Sequence, residues 1–268
     1  MLKDITLGQY FPGNSLIHRL DPRTKLLILI AYIVVLFMAP SWVSFAVVFA
    51  FLITVVILSR IPLKSLASGM KPLLFVLAFT GFLNIFFYKG DNELLHFWVI
   101  TIYWEGIIQA VFMVWRILML ISGTFLLTYT TSPIALTDGL ESLLNPLKKL
   151  RLPVHELAMM MCIALRFIPT LIEETDKIMS AQKARGADFE SGNLFRRVKA
   201  LVPILVPLFI SAFRRADELA TAMECRCYQG GDGRTKMKLL RYKLLDFKAF
   251  SLCAALVLSV VILSTYGL

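Results

Sequence analysis

The sequence predicts an all-α, polytopic membrane protein with about five transmembrane helices and a cytoplasmic insert of three helices, two of them long, kinked and crossing. Three observations carry that expectation. The 268 residues are 58% hydrophobic and 17% charged, with mean hydropathy +0.74. Soluble domains carry roughly 25% charged residues, so a soluble enzyme is excluded. Uncharged runs long enough to cross hydrocarbon recur along the chain. The net charge of +10 is distributed as membrane proteins distribute it, so it reads as topology and no nucleic-acid partner is expected.

Residues before Lys25 mix Asp4, Tyr10, Pro12, His18, Arg19, Asp21 and Arg23. They lack the basic start, apolar middle and small-residue cleavage site of a signal peptide, which makes the first apolar run a mature span. Leu26 to Leu58 carries no charge. As one helix at about 1.5 Å per residue it would reach about 50 Å, too long for a core of about 30 Å. Two helices are therefore expected, with Asp21-Pro22 as cap and first helical residue, Pro40-Ser41 as the turn and Trp42 at the interface. Both halves are short and call for snorkelling flanks such as Lys25 and Arg60. A third span is expected over Pro72 to Tyr88, a fourth from Gly106 to about Thr131, and a last from Ala249 to Leu268. His96 to Trp104 reads as an interfacial strand or short hairpin.

Five spans with the amino terminus inside put Lys3, Arg19, Arg23, Lys25, Arg60, Lys64, Lys71 and everything from Pro133 to Lys248 on the inner side. The outer loop after Tyr88 sets Lys89 against Asp91, Glu93 and Glu105. That is the positive-inside pattern, with the N-terminus cytoplasmic and the C-terminus outside the cell membrane. Three divisions follow: 1–131 with the first four spans, 132–247 as cytoplasmic or interfacial helices, and 248–268 as the last span. Arg116 lies near the middle of the fourth span with no acidic partner in any other span. It reads as a structural lock on backbone carbonyls or a neighbouring helix, not as part of an ion relay.

The insert holds nineteen of the 28 Lys and Arg and thirteen of the 18 Asp and Glu. Ser132-Pro133 caps a short helix through Leu144, which Asn145-Pro146 breaks. Pro153 opens a second helix to Arg185, with Gly186 suited to a left-handed cap. The third runs from about Leu194 to Cys227 and ends at Gly230-Gly231-Asp232-Gly233. Both long helices begin apolar (157–172 and 200–213) and end charged. Making both spans would turn Lys177, Lys183, Arg185, Arg196, Arg197 and Lys199 outward, so they are placed at the inner membrane boundary, kinked at Pro169, Pro203 and Pro207. On the third helix Leu205, Leu208, Ala212, Ala216, Leu219 and Met223 form a stripe. Within it Ala212, Ala216 and Ala220 recur every four residues, permitting a close helix crossing as well as ordinary core packing.

The two long helices end alike. An offset of 41 residues places Asp176 on Asp217, Ile178 on Leu219, Ser180 on Thr221, Ala181 on Ala222, Ala184 on Cys225 and Arg185 on Arg226. One arginine among small neighbours on a protruding end can enter a groove, since small residues allow close approach and guanidinium pairs with acids directionally. A cation at a helix C-terminus also arises for dipole reasons alone. The cysteines Cys162, Cys225, Cys227 and Cys253 are scattered, and none of His18, His96 and His155 stands at zinc-like spacing, so neither a disulfide framework nor a metal site is expected.

The Ala184-Arg185-Gly186 and Cys225-Arg226-Cys227 motifs, with Arg214-Arg215-Ala216-Asp217-Glu218-Leu219-Ala220, resemble the transmembrane T component of energy-coupling factor (ECF) transporters, the CbiQ-like family. His18 to Lys25 and Tyr228 to Thr235 fit as well, so the resemblance covers essentially the whole chain. The second motif departs from Ala-Arg-Gly by a cysteine on each side of Arg226, which puts its glycine cap in question. The resemblance implies a prokaryotic cell-membrane protein that is not itself an enzyme and holds no cofactor. ATP and Mg would be bound by two cytoplasmic ABC ATPase subunits whose grooves receive the Arg185 and Arg226 ends. A membrane S component would bind the cargo, a vitamin or a transition-metal ion. Two other classes stay open. A lipid or prenyl enzyme would need clustered carboxylates, and Glu173, Glu174 and Asp176 lie on a polar helix face with Asp188 and Glu190 in a loop. A stand-alone secondary transporter would show inverted repeats and midplane charges, and Arg116 by itself does not meet that pattern.

Overall fold

A computed structural model describes residues 10–87, 93–97, 100–150, 152–187, 189, 194–231 and 239–266. It divides into two compact units, one built from Leu140–Leu239 and one from Gly8–Gly139 with Leu240–Leu268.

In the second of these, helix α1 (Pro22–Met38) starts as its sequence dictates. The Asp21 side chain accepts from the Arg23 N–H at 3.0 Å, and Pro22 takes the first helical position, where no N–H is needed. Ala39 turns extended and Pro40 follows, which stops the helix. Ser41 then caps α2 (Trp42–Ser59) by accepting from the Ser44 N–H at 3.3 Å. The uncharged run is thus two helices, split at Pro40-Ser41. The next span starts earlier than Pro72. Helix α3 (Leu63–Met70) leads through a 3-10 turn at Lys71–Leu73 into α4 (Leu74–Phe87), so Pro72 sits in a turn that absorbs its missing N–H. The expected end at Tyr88 lies outside the described residues, as do Lys3, Asp4, Lys89, Asp91 and the two C-terminal residues Gly267 and Leu268.

Strands β1 (Glu93–Phe97) and β2 (Ile100–Tyr103) pair antiparallel with Phe97 opposite Ile100, a hairpin on an otherwise helical fold. Helix α5 (Trp104–Thr130) follows directly, taking in Trp104. Ser132 caps α6 (Pro133–Leu144) by accepting from the Ala135 N–H at 3.3 Å, and a 3-10 turn at Asn145–Leu150 ends it. Two 31-residue helices, α7 (Val154–Ala184) and α8 (Leu194–Glu224), make up most of the insert. Helix α9 (Leu244–Thr265) begins five residues before Ala249 because Asp246 serves in its first turn.

The bundle core is formed by Tyr32, Val35 and Leu36 of α1, Val48 and Leu52 of α2, Met119 and Leu126 of α5, and Leu256 and Val260 of α9. Helices α1 and α5 approach closely at Gly123, where an added Cβ would lie 2.8 Å from the Tyr32 ring. The Tyr32 hydroxyl donates to the Met119 carbonyl at 3.1 Å, so its buried oxygen is satisfied. Outward faces carry Val34, Phe37, Ile57, Phe75 and Leu258, all exposed, as a lipid-facing surface requires.

Among the described residues, five helical segments are long and apolar enough to cross a membrane: Trp42–Ser59, Leu63–Phe86, Trp104–Thr130, Val154–Ala184 and Leu244–Thr265. The number matches the five expected, but the membership differs. At 17 residues α1 is short for a span, though it packs between α9 and α5, while α7, expected at the membrane boundary, has the length and composition to cross.

Candidate functional site

The two arginine motifs sit at the C-terminal ends of α7 and α8, and the backbone closes both ends in the same way. After α7, Gly186 is left-handed (φ 85°), its N–H donates to the Lys183 carbonyl at 3.0 Å, and the Ala187 N–H donates to the Gln182 carbonyl at 3.0 Å. After α8, Cys227 is left-handed (φ 55°), its N–H donates to the Glu224 carbonyl at 2.8 Å, and the Tyr228 N–H donates to the Met223 carbonyl at 3.1 Å. These are paired Schellman closures. Every partner in the second stands 41 residues after its counterpart in the first, so the offset read from side chains extends to backbone hydrogen bonds. The cap needs the left-handed backbone and not glycine as such, and a cysteine adopts it here at a conformational cost.

At each tip the arginine is exposed, and its side chain makes no hydrogen bond or ion pair among the described residues. Ala184, Gly186, Cys225 and Cys227 beside them are exposed too. A free guanidinium therefore stands at the negative end of each helix dipole, beside side chains small enough to let another surface approach.

Helices α7 and α8 cross antiparallel. Arg215 Nη2 donates to Glu174 Oε2 at 3.0 Å, and Gln182 Nε2 donates to the Pro203 carbonyl at 3.4 Å, so the contacts advance along α7 as they retreat along α8. Extending that register sets Arg185 level with about residue 200 of α8. Arg226 lies some 26 residues further on, roughly 40 Å at about 1.5 Å per residue. The tips thus occupy opposite ends of the crossing pair. The alanine repeat does not carry these polar contacts: Ala212 is half-buried, whereas Ala216 and Ala220 are exposed. Of the wider stripe, Leu208, Leu219 and Met223 are half-buried and Leu205 is exposed. The apolar half of α8 is exposed nearly all round, through Leu201, Val202, Val206, Phe209, Ile210 and Phe213, with Ile204 the buried exception. Such a surface requires lipid or an apolar partner. His155 at the start of α7 meets Glu141 at 3.1 Å, and Gly231 presses against its ring. The glycine-rich turn is described as far as Gly231; Asp232 to Thr235 lie outside the described residues, as do Asp188 and Glu190.

In the bundle, Arg116 Nη2 donates to the Ala39 carbonyl at 3.2 Å, with its guanidinium 5.8 Å from the Phe37 ring centroid and 5.4 Å from that of Phe45. It holds a carbonyl of the turn between α1 and α2, where Ala39 is already extended and lies outside both helices.

Lys25 is placed otherwise than expected. It does not snorkel: it is buried, and its ammonium donates to the Thr130 carbonyl at 2.8 Å and to Thr131 Oγ1 at 3.0 Å. Asp21 and Asp246 are the carboxylates that act on it electrostatically. Asp246 is 1% exposed; its Oδ1 accepts from the Asp21 N–H at 2.9 Å and its Oδ2 from the Lys243 N–H at 2.7 Å. Arg23 donates to the Leu240 carbonyl at 3.3 Å and lies over the Tyr242 ring. The starts of α1 and α9 and the end of α5 thus meet in one polar knot. His18 folds the preceding segment back, donating through Nε2 to the Phe11 carbonyl at 2.9 Å while Nδ1 accepts from Ser15 Oγ, and the Phe11 N–H donates to the Tyr129 carbonyl at 3.0 Å. The knot was invisible to sequence reading because its members are up to 225 positions apart. The only signal was a cluster of charge beside a helix start. Among the described residues, no three His, Cys, Asp or Glu side chains come together as a metal-binding group.

The chain is similar to known proteins along most of its length. The CbiQ family, described as cobalt transport protein, matches residues 13–237. The energy-coupling factor transporter transmembrane protein of Thermosediminibacter oceani is 58% identical over 249 residues, 93% of this chain and 94% of that protein. The protein of the same name from Clostridium kluyveri is 56% identical over 265 residues, 98% of each chain. That from Bacillus subtilis is 52% identical over 240 residues, 90% of this chain and 91% of its own.

Proposed function

The chain belongs to the CbiQ family and is a transmembrane component of an energy-coupling factor transporter, and on that premise we propose that it is the coupling subunit, linking two ABC ATPases to a substrate-binding S component. The observation that carries the proposal is the repeated tip: the same closure, the same exposed arginine and the same small flanks at opposite ends of a crossing helix pair. Two like tips suit two like receptors. Arg185 and Arg226 each dock in a groove of one ATPase and pair there with an acidic group. ATP and Mg are bound by those subunits, and this chain hydrolyses nothing.

Closure and opening of the ATPase pair then shifts one tip relative to the other. Because α7 and α8 are joined at Glu174, Arg215 and Gln182, that displacement reaches their apolar halves. The exposed apolar surface of α8 is the face that meets the S component and tips it in the bilayer, carrying a vitamin or metal ion inward. The amino terminus and the insert are cytoplasmic, and the carboxyl terminus is outside. This reading also accounts for arginine side chains that make no hydrogen bond or ion pair among the described residues, which an enzyme or a stand-alone carrier would not require.

The test is an Arg185→Glu/Arg226→Glu double variant, followed by co-purification with the ATPases and by uptake. Losing one partner of a desolvated charge pair costs about 2–5 kcal/mol, so each change should weaken docking more than tenfold and the pair should abolish it. A double variant that purifies with both ATPases and transports normally overturns the proposal.

A further inference from the structure

A cavity of about 290 Å³ lies inside the membrane bundle, among α1, α2, α5 and α9. Its wall is hydrocarbon almost throughout, from Ile28, Leu52, Val55, Leu126 and Ala249 among others. Of the polar groups that reach it, those of Thr130, Tyr32 and Lys25 are already engaged. Thr130 Oγ1 donates to the Leu126 carbonyl, the Tyr32 hydroxyl to the Met119 carbonyl, and Lys25 to Thr130 and Thr131. Water needs two to four polar partners to occupy a buried site, so this cavity is not built for water. At about 30 Å³ per water-sized or methylene-sized group it has room for on the order of ten methylenes.

The exposed members of the lining show where the cavity opens. Leu58 at the end of α2, Lys248 and Leu252 on α9, and Leu16 before α1 line it and are exposed, whereas Lys25, Leu52 and Leu126 are buried. The opening is therefore lateral, toward the lipid, at the end of the bundle where the polar knot sits. Among the described residues, the charged side chains in the lining are both cations, Lys25 and Lys248, and no acidic residue lines it. Arg19, next to the lining residue Leu20, is exposed as well.

We propose that this cavity is a binding site for one acyl chain of an anionic phospholipid, whose phosphate is held at the opening by Lys248. The chain of a bilayer lipid fits the hydrocarbon wall and the lateral entry. The exposed Lys248 ammonium, which has no partner among the described residues, selects negative headgroups, a preference worth about fivefold per cation near a membrane surface. The inference needs only that this is a membrane protein and is independent of how the arginine tips act.

Native mass spectrometry of the delipidated full chain, titrated with phosphatidylglycerol and with phosphatidylcholine of identical acyl chains, tests it. One saturable adduct is expected, with phosphatidylglycerol favoured about fivefold. Lys248→Gln should erase the preference while keeping the phosphatidylcholine adduct. Ala249→Phe, which fills the cavity, should remove both. Absence of a saturable adduct, equal affinity for the two lipids, or an unchanged preference in Lys248→Gln overturns the proposal. So does wild-type binding by Ala249→Phe that retains its helical circular dichroism, and should that variant fail to fold, Lys248→Gln decides alone.

Discussion

Replacing Asp246 by alanine should destabilise the membrane bundle more than any exposed change of charge. Its carboxylate is 1% exposed and accepts from two backbone N–H groups, at 2.9 and 2.7 Å. Hydrogen bonds to a charged acceptor contribute about 1.5–3 kcal/mol each, and their loss leaves two N–H groups unpaired. The change also leaves the buried Lys25 ammonium with less negative charge around it. Losing the two charge-assisted bonds together costs about 3–5 kcal/mol. At roughly 2–4 °C per kcal/mol for a chain of this size, that is a fall in Tm on the order of 10 °C. Thermal unfolding of the purified protein in detergent, followed by circular dichroism, measures it. A double-mutant cycle isolates the charge component: Asp246→Asn combined with Lys25→Met should lose less than the sum of the two single changes, by more than about 0.5 kcal/mol. A Tm for Asp246→Ala within about 2 °C of the parent, or a cycle that is additive, refutes the reasoning.

Three further substitutions bear on other positions. Gly186→Ala adds a Cβ that meets nothing within 4 Å, so its cost is purely that of a left-handed backbone, about 1 kcal/mol, read as a small fall in Tm. Cys227→Gly should stay within about 1 kcal/mol of the parent, because relief of the left-handed strain is offset by a freer unfolded chain. Gly123→Ala should lose about 1–3 kcal/mol in the same unfolding assay, since its Cβ would press the Tyr32 ring at 2.8 Å and force α1 from α5.

Much of the fold could be read from local chemistry. Asp21-Pro22, Ser41 and Ser132-Pro133 mark helix starts because a cap is satisfied within three residues, and the structure places a cap at each. Gly186 was legible for the same reason, and the 41-residue offset anticipated a second end like the first. What stayed hidden depends on contacts between distant segments. Nothing near Lys25 distinguishes a snorkelling lysine from a buried one; its partners come from the end of α5. The third membrane segment was begun too late because Lys64, Ser65 and Lys71 dilute the apolar signal of α3, though they belong to the same near-continuous rod. In the crossing of α7 and α8, the small residues suggested the contact, but polar links run through Glu174, Gln182 and Arg215, residues whose polarity gave them the look of solvated surface. The two arginine tips could be found by sequence reading since both the residue and its setting are local. Their placement at opposite ends required the structure.

The link between Asp21 and Asp246 spans 225 residues, and it has a consequence for how the protein is made. The first helix enters the membrane early in synthesis, with Lys25 already in place, but the carboxylate that completes its first turn belongs to the final span. At about 5–20 residues per second, ribosomes take roughly 10 to 45 s to cover that distance. For that interval the nascent bundle holds a buried lysine and an unpaired N–H with no Asp246 to meet them. A chain that stops short of α9 never leaves that state: the start of the first helix is finished only by the start of the last.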